Sequence, residues 1–300
     1  MTTTTLLPTG EQHRIERGTA SATIASVAAS LRHFERDGVQ YTPGYPEDVV
    51  PPFACGIVLV PWPNRVADGV WTLDGEEQQL ALTEPARHNA IHGLLRFTAY
   101  DLVEHEGDAV TLGATVWPQS GYPFLLETSV RYALVDDGLR VTHRIRNRSD
   151  RPAPAALGAH PFHTIGDVAP EDLTLTVRAA TRIEVDERLN PVGTSPIDER
   201  MRTGIPLREV ELDHAFTDLD PVDGVVATLT APDGRSVSLV QDEQHCWLQI
   251  FTTRKYPGTS LAVAIEPMTA PMNALVTGEG LRWVEPGEEW SAWWGVRVTP

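Results

Sequence analysis

Cysteine is scarce in this chain: Cys55 and Cys246 are the only two in 300 residues. Two thiols cannot build the disulfide framework of a small secreted domain or a cysteine-rich zinc site, so the sequence predicts a reducing, cytoplasmic setting. One Cys55–Cys246 bridge stays open. Basic residues are also few, Lys+Arg 24 against Asp+Glu 41, for a formal net charge of −17. Such an exterior repels phosphate backbones and anionic lipid, which argues against nucleic acid or a membrane as partner. No apolar run approaches the roughly 20 residues that a membrane-spanning helix needs, and residues 1–8 carry neither a basic region nor an apolar stretch of signal-peptide length. P-loop, GxGxxG and GxSxG patterns are missing, so nucleotide binding and serine hydrolysis find no support. Gly/Ser linkers and internal repeats are missing too, and the expectation is a single domain over residues 1–300.

What is present is a large apolar complement, 41% of residues, with a periodicity close to two. Leu139, Val141 and Ile145 alternate with Arg140, Thr142, Arg144 and Arg146. Val110, Leu112, Ala114 and Val116 repeat the pattern, as do Leu173, Leu175 and Val177. These read as half-buried antiparallel strands. Asp-Gly pairs suited to hairpin turns recur at Asp37, Asp68, Asp74, Asp137, Asp223 and Asp233. Ala231-Pro232-Asp233-Gly234-Arg235, between Val225–Leu229 and Val237–Val240, is the cleanest hairpin. The fold class expected is all-β, with few short helices. Residues 184–206, with prolines at 191, 196 and 206, read as a long ordered loop edging a cleft.

Several residues could carry chemistry. Glu266 ends the run Leu261-Ala262-Val263-Ala264-Ile265, whose alternation sets Glu266 on one face with Ala262 and Ala264. Small neighbours leave room for a ligand, and an apolar setting makes the carboxylate a usable base near neutrality; an ion-paired structural glutamate is the plainer alternative. His160, between Gly158-Ala159 and Pro161, stands where an extended segment turns and can present its imidazole to a cleft. His92 precedes Gly93, which permits close backbone approach, with Asn89 and Arg96 nearby. The spacings His88/His92 and His160/His163 raise the question of a metal, but Gly93 and Pro161 disfavour helices there and no HExxH glutamate exists, so no metal is expected. Asn64-Arg65 in a rigid turn, and Asp213, suit sugar hydroxyls, although each alone reads equally as a surface turn or cap. Trp247, Gln249 and Phe251 share a strand face as an aromatic platform with a central amide, or as core. Trp290, Trp293 and Trp294 are assigned to packing of the last strand.

The ordered set Pro61-Trp62-Pro63-Asn64-Arg65, His88-Asn89-Ala90-Ile91-His92-Gly93, Gly158-Ala159-His160-Pro161-Phe162, Leu212-Asp213-His214 and Ile265-Glu266-Pro267 resembles the aldose 1-epimerase (galactose mutarotase) family over about residues 24–298. The resemblance implies a large antiparallel β-sandwich, a monosaccharide substrate, a monomer or homodimer, no cofactor, and interconversion of α and β anomers of a hexose. It implies His160 as general acid, Glu266 as general base, His92 as a substrate-positioning or transition-state partner, and Asn64, Arg65, Asp213 and Gln249 as sugar contacts. Glu266-Pro267-Met268-Thr269 departs from the Glu-Thr-Gln run of many members and, with Pro61-Trp62-Pro63-Asn64-Arg65 and Ser120-Gly121-Tyr122-Pro123-Phe124, looks closer to the bacterial subgroup of uncharacterised or sulfosugar-type mutarotases than to the galactose-pathway members. Two alternatives stay open: an epimerase of a 6-phosphorylated or sulfonated hexose, with Arg65, Arg96 and Arg254-Lys255 as candidate anion contacts, and a non-catalytic sugar-binding protein.

Overall fold

The computed structural model describes residues 7–300; the opening threonine run lies outside the described residues. Aspartate tolerates the left-handed region that a tight hairpin needs, and glycine adopts it freely. Four of the six expected Asp-Gly turns therefore have both residues at positive φ, at Asp37, Asp68, Asp74 and Asp223. At Asp137 and Asp233 the aspartate stays out of that region, and a different turn closes the hairpin. The expected hairpin near Asp233 joins Val225–Thr230 to Ser236–Gln241, with one register shift between Val225 and Ala227.

Two antiparallel sheets dominate. One has nine strands in the spatial order Asp101–His105, Ala109–Val116, Leu126–Val135, Gly138–Asn147, Glu289–Thr299, Ser236–Gln241, Val225–Thr230, Thr174–Val177 and Ile205–Pro206. The other runs Pro191–Pro196, Ala179–Val185, Asp213–Leu219, Trp247–Thr253, Ala262–Met268, Gly158–Ala159 and Val58–Leu59, with Phe162–His163 also paired to Ala262–Met268. Val141, Ile145, Leu239, Trp294 and Val296 of the first sheet share one buried cluster with Leu248, Ile250, Val263 and Ile265 of the second. The period-two patterning thus supplies two inner faces, as a sandwich requires. A four-stranded sheet from Gln12–Arg17 to Val39–Gln40 adds Ile15, Ile24 and Phe34 to the same core. The described residues hold two short α-helices, Glu199–Thr203 and Ala274–Thr277. Among the described residues, no helix is long and apolar enough to cross a membrane.

Residues 184–206 correct the expected loop. They hold the edge strand Pro191–Pro196 and the helix Glu199–Thr203, capped by Asp198 accepting from the Arg200 amide at 2.9 Å. Prolines are tolerated on a sheet edge, where one row of amides has no ladder partner, so they do not break this strand. Buried Ile197 and Met201 fasten the segment to the core. The two cysteines are free, Cys55 buried and Cys246 exposed, which removes the bridge left open by the sequence. Trp290 and Trp294 are buried on the last strand, as expected, and Trp293 lies under the Arg140 guanidinium at 4.0 Å.

Candidate active site

Strand pairing puts the polar residues together. Gln249 stands opposite Glu266 in the ladder between Trp247–Thr253 and Ala262–Met268, and Asp213 stands opposite Phe251 on the next strand. Within Ala262–Met268, Val263 and Ile265 face the core, so Glu266 must face the other way. The room expected above Ala262 and Ala264 is filled: both pack in a cluster with Phe162 and Tyr256, and the open space begins at Glu266.

His160 follows the short strand Gly158–Ala159. Its backbone is pinned on both sides, its amide donating to Ile57 O at 3.0 Å and its carbonyl accepting from Gly56 N at 2.8 Å. Its ring stacks on Phe162 at 5.4 Å, and its Nε2 lies 3.3 Å from Glu266 Oε1. A two-stranded ribbon, Arg65–Ala67 with Asn89–Ile91, brings in the rest. His92 leaves that ribbon at φ 63° and Gly93 follows at 70°; a Cβ on Gly93 would lie 2.0 Å from Val60 O, so the close approach read from the sequence is real. The His92 ring stands perpendicular to His160 at 5.4 Å.

The seven residues given catalytic or sugar-contact roles by the resemblance, Asn64, Arg65, His92, His160, Asp213, Gln249 and Glu266, all line one cavity of about 580 Å³. Four of them close a ring. Arg65 Nη2 approaches Asp213 Oδ2 at 3.6 Å, Gln249 Nε2 donates to Asp213 Oδ1 at 2.7 Å, Asn64 Nδ2 donates to Gln249 Oε1 at 3.2 Å, and the Arg65 amide donates to Asn64 Oδ1 at 2.9 Å. This fixes which way each amide points before any ligand arrives. Trp247 does not join its expected platform: it packs with Ile183, Met268 and Met272, and only Gln249 and Phe251 of that face reach the cavity. Asn89 likewise turns away, donating to Glu84 and to Arg188 O. His88 pairs with Asp68 at an exposed position, so His88 and His92 do not converge.

Sequence reasoning missed Glu84, which grips Arg65 through two bonds at 2.8 and 3.0 Å, and also Arg87, Phe53 and Phe97 on the cavity wall. A signal for Glu84 existed, since an arginine destined for burial must find a carboxylate. Nothing in the local pattern marks the two phenylalanines.

Burial sets the electrostatics. It pushes the Glu266 carboxyl well above the usual carboxylate range, helped by nearby Asp213 and opposed by Arg65. Burial also takes His160 down to about 3, against a bond to its own backbone and with Arg65 and Arg96 adding to the effect. His92 falls well below its ordinary value through burial, then through His160, Arg96 and Arg65. Arg65 keeps a raised value because Glu84 and Asp213 outweigh the burial that opposes its charge. Burial thus favours the uncharged form of both groups, a protonated Glu266 carboxyl and a neutral His160 imidazole. Glu266 Oε2, His92 Nδ1 and Arg96 Nε are buried without partners among the described residues.

The sequence pattern of the aldose 1-epimerase family matches residues 11–297. The chain belongs to that family. Across 284 residues, 93% of this chain and 90% of its relative, it is 32% identical to the uncharacterized protein YihR of Escherichia coli K12. Human galactose mutarotase is 31% identical over 146 residues, only 46% of this chain and 41% of that enzyme. Among solved structures, the aldose epimerase homologue of C. elegans superposes with a TM-score of 0.84 at 16% identity, covering 96% of this chain and 98% of that one. A galactose mutarotase-like protein from Clostridium acetobutylicum gives 0.83 at 17%, over 95% and 94%. These likenesses establish the galactose mutarotase-like fold.

Proposed function

We propose that the chain interconverts the α and β anomers of a hexose by opening and reclosing its ring. The observation that carries this reading is the buried Glu266–His160 pair, 3.3 Å apart at the wall of a polar cavity. Hydroxyls entering the cavity solvate the Glu266 carboxylate, and the shared proton passes to His160. Glu266 then takes the proton of the anomeric hydroxyl while His160 Nε2–H gives its proton to the ring oxygen. The C1–O5 bond breaks and an aldehyde forms. Opening returns the pair to protonated carboxyl and neutral imidazole, the arrangement that burial favours, so the protein's own electrostatics assist the bond-breaking step. Rotation about C1–C2 and reclosure by the reverse transfers give the other anomer. His92, perpendicular to His160, steadies the reacting edge, and the ring of Asn64, Arg65, Asp213 and Gln249 binds hydroxyls. The test is polarimetric: freshly dissolved α-glucose and α-galactose reach equilibrium faster with wild type, and at the spontaneous rate with folded Glu266→Gln or His160→Asn. Binding without acceleration in wild type would point to a sugar-binding protein instead.

A second reading, an anionic hexose such as a 6-phosphate or sulfonate, is favoured by the charge around the mouth. Arg65 and Arg87 are paired with Glu84, whereas Arg96 and Lys255, the chain's single lysine, form no ion pair among the described residues. Two free cations on the wall of one cavity are notable in a chain of net charge −17. Hexose 6-phosphate beside free hexose in the same polarimeter separates the two.

A further inference from the structure

We propose that Glu84 is a positioning residue of this site, holding the Arg65 guanidinium so that its remaining N–H edge faces the sugar; this rests on the sugar reading above. Arg65 is a planar fork of five N–H donors. Its Nε donates to Glu84 Oε2 at 2.8 Å and its Nη2 to Glu84 Oε1 at 3.0 Å, with Nη2 also turned to Asp213. Nη1 meets no protein acceptor among the described residues, and Arg65 lines the cavity. A bidentate grip on one edge leaves the guanidinium no rotation about its long axis, so the direction of Nη1 is set by where Glu84 stands.

Glu84 is itself held from three sides. Asn89 Nδ2 donates to Oε2 at 3.2 Å and Arg87 Nη1 to Oε1 at 3.1 Å. The Glu84 amide donates to the Asn89 carbonyl at 2.9 Å, within the turn that leads to His92. Asn89 is clamped in turn by Arg188, from the far edge of the second sheet: its side chain donates to Arg188 O at 3.0 Å, and Arg188 reaches back to Arg87 O and His88 O. The chain Arg188–Asn89–Glu84–Arg65 thus carries the position of a sheet-edge loop to a sugar-facing guanidinium. Glu84 also offsets the Arg65 charge, which would otherwise draw the buried Glu266 further toward its anionic form.

Two substitutions separate these effects. Glu84→Gln removes the charge and one acceptor; Glu84→Asp keeps the charge and withdraws the fork. The first measurement, on protein without sugar, is the titration of the Glu266 carboxyl by carbon-13 NMR. Its midpoint falls in Glu84→Gln, where the Arg65 charge is no longer offset, and moves less in Glu84→Asp. Calorimetric binding of glucose and galactose is then expected to weaken roughly tenfold in both variants. Each substitution adds less than about twofold in an Arg65→Gln background, because a residue acting through another is not additive with it. A Glu266 midpoint unchanged in Glu84→Gln, binding unchanged in both variants, or the full loss persisting without Arg65 would overturn the proposal. A wild type that binds sugar without accelerating mutarotation would defeat the sugar-opening reading and leave this test intact.

Discussion

Replacing Glu266 by Gln couples activity and stability in opposite directions. The carboxyl is 2% exposed and burial raises its pKa well above the usual carboxylate range, so Gln is close to an isostere of the protonated form that burial favours. Activity should fall by about 10²–10⁴, the usual worth of a general base, or ~3–5 kcal/mol of barrier. Stability should move the other way. A carboxyl whose folded pKa lies above its unfolded value keeps its proton longer in the native state, so its contribution is complete below the unfolded value. That contribution drains away as pH rises toward the folded value, by about 1.4 kcal/mol per pH unit. Gln has no such slope. Glu266→Gln should therefore match wild type near pH 4 and be the more stable protein at pH 7–8. Polarimetry with galactose gives the rate, and urea melts at pH 4, 6 and 8 give the stabilities. A variant turning over within threefold of wild type, or a wild type whose stability relative to the variant does not fall with rising pH, would refute the reasoning.

Acid should unfold the protein early: His143 and His160 are held down to about 3 and His163 to about 4 by burial, so each loses about 1.4 kcal/mol per pH unit as pH falls from 6.5 toward its native value, visible in melts between pH 7 and 4. Gly93→Ala forces a Cβ to within 2.0 Å of Val60 O at a φ of +70°, which should cost about 2–4 kcal/mol in thermal melts. Phe251→Ala, which strips an edge-on ring 6.3 Å from His160, should raise KM about threefold to tenfold while kcat changes little in steady-state polarimetry. Arg96→Met should raise KM for a hexose 6-phosphate roughly tenfold and leave free hexose within about twofold if the mouth reads an anion.

The fold was legible because its physics is local. Strands such as Gly138–Asn147 alternate strictly, and aspartate with glycine marks many of the turns. Residues 184–206 were harder, since proline reads as a breaker unless the strand is known to be an edge. The cavity lining was legible where polar residues are concentrated in short motifs: the seven residues given catalytic or sugar-contact roles all line it, whereas Trp247 and Asn89 do not. Less visible was whatever depends on partners distant in sequence. The Glu84 grip on Arg65 joins residues 19 apart, and the Trp247 side chain is drawn off its expected platform by Met268, Met272 and Ile183. The protonation of the Glu266–His160 pair was out of reach as well, because it depends on how completely the sheet excludes water from both groups.

The most direct test of the central claim is exchange spectroscopy by NMR on hexose at anomeric equilibrium, where no net reaction obscures the rate. Catalytic amounts of wild type should produce α-to-β cross-peaks for galactose, glucose or a hexose 6-phosphate far above the spontaneous level, and His160→Asn should abolish them. Sugars that bind the wild type yet exchange anomers no faster than in buffer would contradict the account.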